Sequence, residues 1–220
     1  GPAPAMHTFR DVETAAYCPR KLYYRRRAGP PDVPDEVAAC RNLAFEYERL
    51  LDSDADLLAA PIEVSPTTFR SRLGQAKARL DAWESLVDPP IRERMLEGRE
   101  CRGVAHKVLE EPLAPSLVFA GSPPDVGVWE PQTARLVAAA KALSWERETP
   151  VERAFAEYPA YGVIREVPLT TRRKGTYRSA VRTAEAVDGP PGRIDDDAKC
   201  SPCEFREQCG VRTRSLRSLL

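Results

Sequence analysis

The stretch "KCSPCEFREQC", residues 199–209, decides the fold because it places three cysteines within ten residues. Cys200, Cys203 and Cys209 follow the spacing Cys-x2-Cys-x5-Cys. Thiolate metal centres usually have four ligands, so the stretch predicts a fourth ligand elsewhere in the chain. An early cysteine, Cys18, stands in the unusual setting "YCPRKLYY". A site built from Cys18 and the C-terminal cysteines would tie the two ends of the chain together.

The spacing alone leaves the identity of the metal open. Zinc sites usually come as two close pairs of cysteines, whereas this pattern has one distant cysteine and a compact group of three. All-thiolate coordination also suits an iron–sulfur cluster. The spacing favours a cluster and keeps zinc as the alternative. Either centre would close a long loop and restrict the unfolded chain, a benefit that grows only as the logarithm of loop length.

The composition fits a single domain in a reducing compartment. The chain has 220 residues and is 42% hydrophobic, and it contains no apolar run near the ~20 residues of a membrane span. Residues 1–5 are interpreted as the remnant of an expression tag, with Met6 as the natural start and no signal peptide behind it. We therefore predict a cytoplasmic protein without membrane contact. There, Cys40 and Cys101 are expected to be buried thiols rather than disulfide partners.

Charge is balanced overall but segregated locally. The 33 basic and 33 acidic residues cancel, so net charge does not predict a nucleic-acid partner. Basic residues nevertheless concentrate in "RKLYYRRR" (20–27) and "TRRKGTYRSAVR" (171–182). Such segregation can form a face for phosphates, and ordinary solvated surface charge is the alternative. The candidate nucleic-acid contacts are Arg25, Arg26, Arg172, Arg173 and Lys174.

The order of predicted elements indicates an α/β fold with a helical lobe before the sheet. Apolar residues at helical spacing predict helices within the following ranges: 7–27, 37–51, 66–87, 91–100, 149–161 and 175–187. Short apolar runs between proline and glycine turns predict strands within these ranges: 102–111, 116–131, 133–143 and 162–170. The ranges give helices first, then a small β-rich centre.

The "YCPRKLYY" stretch and the terminal Cys-x2-Cys-x5-Cys together resemble the RecB-like PD-(D/E)XK nucleases that carry an iron–sulfur centre. These include the AddB nuclease domain and the nuclease of the Dna-two helicase, and the CRISPR-associated Cas-four exonucleases are the most similar group. The resemblance implies a [4Fe–4S] cluster with DNA as ligand and CRISPR adaptation or DNA-repair proteins as partners. The cluster ligands it implies are Cys18, Cys200, Cys203 and Cys209.

The same resemblance implies a restriction-endonuclease-type core, in which a small mixed sheet is flanked by helices. Residues 6–220 would then form one domain. Its parts would be a helical lobe at 36–100, a nuclease-like core at 101–187 and a Cys-rich segment at 188–220 that closes onto Cys18.

The catalytic pattern of the family is incomplete in this sequence. In these nucleases an Asp ends one strand and Glu-x-Lys lies on the next, so that carboxylates hold Mg or Mn and the metal activates water. Asp125, in "GSPPDVGVW", and Lys141, in "RLVAAAKAL", match the Asp and the Lys. Ala139 stands where the Glu belongs, and a methyl group cannot bind a metal. The sequence therefore predicts a weak or lost nuclease.

The remaining candidates for this site are scattered. Glu130 and His106 are alternative metal ligands, since the helix that should carry the family's histidine has Tyr47 instead. Glu157 and Tyr161 keep the spacing of the family's Gln-x3-Tyr, and Tyr161 is the third catalytic candidate.

Three functions follow from these observations. The first is a RecB-like iron–sulfur protein that binds DNA or a DNA-processing complex with little or no cleavage. The second is an active Mg- or Mn-dependent exonuclease that trims DNA ends. The third is a zinc- or cluster-bound scaffold without a nucleic-acid role.

Overall fold

Six strands form one mixed, open sheet in the computed structural model, which describes residues 5–210. The strands are β1 (His7–Thr8), β2 (Ile91–Glu97), β3 (Cys101–Glu110), β4 (Leu113–Val118), β5 (Arg153–Tyr158) and β6 (Val163–Pro168). Strand β3 pairs antiparallel with β2 and β4 and parallel with β1. Strand β5 pairs parallel with β4 and antiparallel with β6. The α/β class and the mixed sheet predicted from the sequence are confirmed.

Helices cover the sheet and begin at the residues that favour helix starts. They are α1 (Phe9–Tyr17), α2 (Pro19–Ala28), α3 (Asp35–Leu43), α4 (Tyr47–Asp52), α5 (Asp54–Ala59), α6 (Pro66–Arg79), α7 (Trp83–Val87), α8 (Glu130–Arg147), α9 (Thr171–Ala186) and α10 (Asp197–Cys200), with a 3-10 turn at Pro159–Tyr161. Thr8 and Ser65 accept hydrogen bonds from the first turns of α1 and α6, and proline opens α2 and α6. None of these helices has the length and apolar character needed to cross a membrane.

Two large hydrophobic clusters pack against the sheet. Helices α1, α8 and α9 contribute the larger cluster, and helices α3 to α7 contribute the second. Neighbouring residues of β5 belong to different clusters, since Ala154 and Ala156 pack into the first and Phe155 into the second. Because successive strand side chains point to opposite faces, the sheet separates the two clusters. The helical lobe therefore covers one face of the sheet.

The predicted strand at 133–143 is wrong, because these residues lie in α8. Pro131 stands in the first turn of this helix, where its missing N–H costs nothing, and alanine has the highest helix propensity of all residues. The short alanine side chains let neighbouring backbone segments approach the helix closely. A Cβ added to Gly98 would lie 2.8 Å from the Cα of Ala142. An alanine-rich run thus forms a helix buried on nearly every side rather than a strand.

Two predicted helices are also wrong. Residues predicted as a helix at 91–100 form β2, and most of the helix predicted at 149–161 is β5. In both cases pairing with a neighbouring strand overrides a weak local preference. The helical lobe therefore ends at Val87 rather than at residue 100.

The strand predicted at 116–131 is wrong beyond Val118, because β4 ends there, a loop follows and α8 begins at Glu130. The remaining predicted elements agree with the structure in type. The helical interpretation of 66–87 holds, although the helix breaks at Leu80 into α6 and α7. Helix α9 and strands β3 and β6 occupy the predicted ranges. Cys40 and Cys101 are buried, as expected. Residues 1–4 of the tag interpretation and residues 211–220 of the Cys-rich segment lie outside the described residues.

Candidate metal centre and the centre of the sheet

One small cavity is lined by cysteines from both ends of the chain. Cys18 joins α1 to α2, Cys200 ends α10, and Cys203 and Cys209 follow in the next turns. All four line the same cavity, and none of the six cysteines forms a disulfide. Within residues 5–210, no group of three or more His, Cys, Asp or Glu side chains is arranged to hold a metal ion.

Direct contacts also hold the two ends together. The Tyr17 hydroxyl donates to the Lys199 carbonyl at 2.8 Å, and the Lys199 ammonium donates to the Tyr17 carbonyl at 3.1 Å. Arg20 donates to the carbonyl of Pro191 at 2.7 Å. The Phe205 ring stacks on Tyr24 with 5.7 Å between centroids. We call this set of contacts between residues 17–25 and 191–209 the clasp.

Basic residues surround the cysteine cavity. Cys18 occupies the N-cap of α2. The side chains of Arg20, Lys21 and Lys199 line the same cavity. Burial raises the pKa of the Tyr17 hydroxyl, and the charges of Cys203 and Cys200 raise this pKa further. The four cysteines with their basic surroundings are a donor set that would suit all-thiolate coordination, either of an iron–sulfur cluster or of zinc.

A buried polar cluster lies at the centre of the sheet, where Glu157 meets two residues that the sequence patterns did not single out. Lys107 on β3, Ser116 on β4 and Glu157 on β5 lie on neighbouring strands and are fully buried. The Lys107 ammonium lies 2.8 Å from a carboxylate oxygen of Glu157. The Ser116 hydroxyl donates to the other carboxylate oxygen. We call these three residues the central cluster.

Each of the three N–H donors of the Lys107 ammonium has an acceptor. An ammonium has three donors, and those of Lys107 reach Glu157, the Ala44 carbonyl at 2.5 Å and the Leu86 carbonyl at 2.7 Å. Burial lowers the pKa of Lys107, and the charge of Glu157 opposes this shift. Burial also raises the pKa of Tyr47, and the negative charge of Glu157 raises it further. Among residues 5–210, Glu157 is the only buried carboxylate, and both of its oxygens already have partners in Lys107 and Ser116.

The sequence did carry a weak signal for this cluster. Lys107 is the one charged residue in the strand segment 103–109, and a fully buried lysine needs a partner. The identity of that partner depends on the order and register of the strands, which place β5 beside β4. Neither can be deduced from the local sequence.

The structure separates the predicted catalytic residues. Asp125 is exposed on the loop before α8 and lines a groove with Tyr161. Lys141 lies on α8, with its ammonium 5.7 Å from the ring centre of Tyr177, and lines a different groove. Ala139 is buried within α8. The expected strand with a Glu-x-Lys pattern is therefore absent at 139–141, and alignment by sequence interval was misleading.

The other metal candidates lie apart as well. His106 is buried on β3, and its Nδ1 accepts a hydrogen bond from the Val118 amide at 2.9 Å. Glu130 is exposed at the first residue of α8. Tyr161 ends the 3-10 turn, and its carbonyl accepts a hydrogen bond from Arg72 at 3.0 Å. His106 thus has a structural role that requires a neutral ring.

The candidate nucleic-acid contacts fall into two groups. Arg25 pairs with Glu204 of the clasp, and Arg26 donates to the Ala184 carbonyl at 2.9 Å. The second group opens α9 and consists of Arg172, Arg173 and Lys174. Of this group, Arg172 and Lys174 are exposed.

The buried His106 predicts a loss of stability in acid. Burial, followed by the charges of Arg135, Arg41 and Lys107, lowers the pKa of His106 from 6.5 to about 3. Below pH ~6.5 the unfolded chain binds a proton that the folded protein excludes, so stability falls as the pH drops towards 3. Between pH 7 and 5 this residue should account for a loss of about 2 kcal/mol.

Urea unfolding of the protein and of His106→Gln at both pH values measures this contribution. The variant should lose about 2 kcal/mol less than the parent between pH 7 and 5. Equal pH dependence in the two proteins would show that His106 does not titrate in this way.

No protein-family model matches the chain, and no curated protein matches it.

Proposed function

We propose that this is a RecB-like iron–sulfur protein that binds DNA, or a DNA-processing complex, with weak or lost nuclease activity. The observation that carries the proposal is the cavity shared by four cysteines from opposite ends of the chain. Cys18, Cys200, Cys203 and Cys209 would hold a [4Fe–4S] cluster, with zinc as the alternative metal. The cluster would then stabilise the clasp rather than act on a substrate.

The centre of the sheet supports the loss of nuclease activity. Metal-dependent phosphodiester hydrolysis needs carboxylates with free oxygens near a reacting phosphate. The central cluster contains one carboxylate, Glu157, and Lys107 and Ser116 occupy its oxygens. The exposed Asp125 lies in a groove without Lys141. The described residues therefore offer no pair of carboxylates beside a lysine at this position.

Incubation with Mn and single- or double-stranded DNA tests the loss of activity. We expect no cleavage by the protein, and the same result for Asp125→Ala, because Asp125 has no metal-binding partner beside Lys141. Mn is the metal of choice, since it tolerates poorer coordination than Mg. Cleavage that disappears in Asp125→Ala would instead establish the exonuclease, in which Mg or Mn would be the cofactor.

Salt dependence tests DNA binding separately. Arginine and lysine contacts to phosphates release counterions, so affinity should fall steeply between 50 and 200 mM salt, by roughly tenfold or more for a few contacts. Fluorescence anisotropy with a labelled oligonucleotide measures this slope. Replacement of Lys174 by Gln should reduce the slope if α9 contributes. Absence of binding at low salt would favour the scaffold instead.

A further inference from the structure

A cleft of about 530 Å³ lies between α1, α2, α3 and the start of α8. Pro202 and Glu204 of the clasp form part of its wall, so the cleft adjoins the cysteine cavity without sharing its cysteines. None of the residues assigned above to catalysis lines this cleft.

Four arginines from four different helices face the cleft. They are Arg10 on α1, Arg25 on α2, Arg41 on α3 and Arg135 on α8. Two of them have acidic partners on the cleft wall.

Arg135 lies 2.9 Å from Glu13, and Arg25 pairs with Glu204. The guanidinium groups of Arg10 and Arg41 form no hydrogen bond or ion pair within residues 5–210. A third acid of the wall, Asp32, is exposed on the loop after α2 and makes no ion pair within the same residues.

The arginines are crowded, and nearby acids offset their repulsion only in part. Burial lowers the pKa of Arg10, and the charges of Arg135, Arg25 and Arg41 lower this pKa further. Burial and the charge of Arg135 likewise lower the pKa of Arg41. The charge of Glu13 opposes the lowering of the Arg10 pKa, and the charge of Glu93 opposes that of the Arg41 pKa, but both values stay lowered on balance. The Nε atoms of Arg41 and Arg135 are buried without a hydrogen-bond partner. Buried donors and converging like charges are unfavourable in a folded protein unless an anion meets them.

We propose that this cleft binds a phosphate group, with Arg10 and Arg41 as the principal contacts and Arg135 as a third. Guanidinium groups match phosphate oxygens with paired N–H donors, which distinguishes phosphate from a smaller anion such as chloride. The cleft is also larger than one phosphate, so it admits the sugar or chain attached to it. The source of the phosphate is either a nucleic-acid strand, which rests on the proposed function, or a free phosphorylated molecule.

Calorimetric titration with inorganic pyrophosphate tests the site itself. We expect the protein to bind pyrophosphate and Arg41→Gln to bind it at least tenfold more weakly. Arg178→Gln, at an exposed position on α9 outside the cleft, is the matched control and should bind like the parent. Equal affinity in the parent and Arg41→Gln, or no binding by the parent, would overturn the proposal.

Arg41→Gln is expected to fold, because it removes an unpartnered charge from a crowded group. Without phosphate, its melting temperature should equal or exceed that of the parent. With pyrophosphate present, only the parent and Arg178→Gln should gain melting temperature. A gain of the same size in Arg41→Gln would also contradict the assignment.

A single-stranded oligonucleotide identifies the source of the phosphate. If a nucleic-acid strand supplies the phosphate, Arg41→Gln should weaken oligonucleotide binding at least tenfold. Comparing oligonucleotides with and without a 5′-phosphate then shows whether the cleft prefers the end of the strand. If pyrophosphate binds through Arg41 but the oligonucleotide does not bind, the cleft takes free phosphorylated molecules and the proposed DNA function fails. If the oligonucleotide binds equally to both proteins and pyrophosphate binds to neither, the DNA function stands and this site is wrong.

Discussion

Replacement of Lys107 by methionine should lower the free energy of unfolding by roughly 3–5 kcal/mol. The change leaves Glu157 buried with no cation beside it, and it also leaves the Ala44 and Leu86 carbonyls without their donor. Removing one partner of a buried pair costs far more than the pair contributes, since the remaining charge has lost its water. Urea denaturation of the parent and the variant, followed by circular dichroism, measures the difference.

Two further variants isolate the charge effect. Lys107→Met combined with Glu157→Gln should recover part of the loss, because the buried charge is gone. Lys77→Met breaks a largely exposed pair with Glu48 at 3.0 Å and should cost less than about 1 kcal/mol. A loss of similar size in Lys107→Met and Lys77→Met would mean that the central cluster is not a buried ion pair.

Replacement of Cys18 by alanine should remove the metal centre and destabilise the clasp. Protein purified without oxygen should show a broad absorbance near ~400 nm, and Cys18→Ala should lose most of it. Cross-links that close loops of about 100 residues or more restrict the unfolded chain by about 4–5 kcal/mol in the chain-entropy description. Loss of the centre should therefore lower stability by a similar amount, seen as a lower urea midpoint.

Cys40→Ala is the matched control for this experiment. Cys40 is buried in α3 and does not line the cysteine cavity, so this variant should keep the absorbance. A colourless parent with one zinc per chain would replace the cluster by zinc while keeping the clasp. Unchanged absorbance and stability in Cys18→Ala would remove Cys18 from the ligand set.

Local sequence signals were most reliable where capping and periodicity agreed. Apolar spacing predicted a helix from residue 66, and α6 begins there, with Ser65 as its N-cap and Phe69, Leu73 and Ala76 buried. The same reasoning failed at α8, because alanine gives no periodic contrast and residues 133–140 of this helix are almost all buried. It failed again at β5, where "RAFAEY" is paired on both sides by other strands. Local secondary-structure propensity decides little once pairing with distant strands satisfies the backbone hydrogen bonds.

The same contrast between local pattern and long-range pairing applies to the candidate site residues. The cysteine spacing called for a fourth ligand, and the setting "YCPRKLYY" with the family resemblance indicated Cys18. The structure places all four cysteines around one cavity. The pairing of Asp125 with Lys141 relied on a strand that is a helix, so an interval in the sequence was mistaken for a position in the fold. Strand register instead put Glu157 beside Lys107.

The sequence by itself determined the fold class and the apolar face of α6, since these depend on residue type and short spacing, and it predicts a four-cysteine centre. Only the tertiary structure decided that a lysine fills the centre of the sheet and that Arg10, Arg41 and Arg135 converge on one cleft. Those residues are far apart in the chain. Their charges interact because strand pairing and helix packing bring them close together, and no local pattern encodes that.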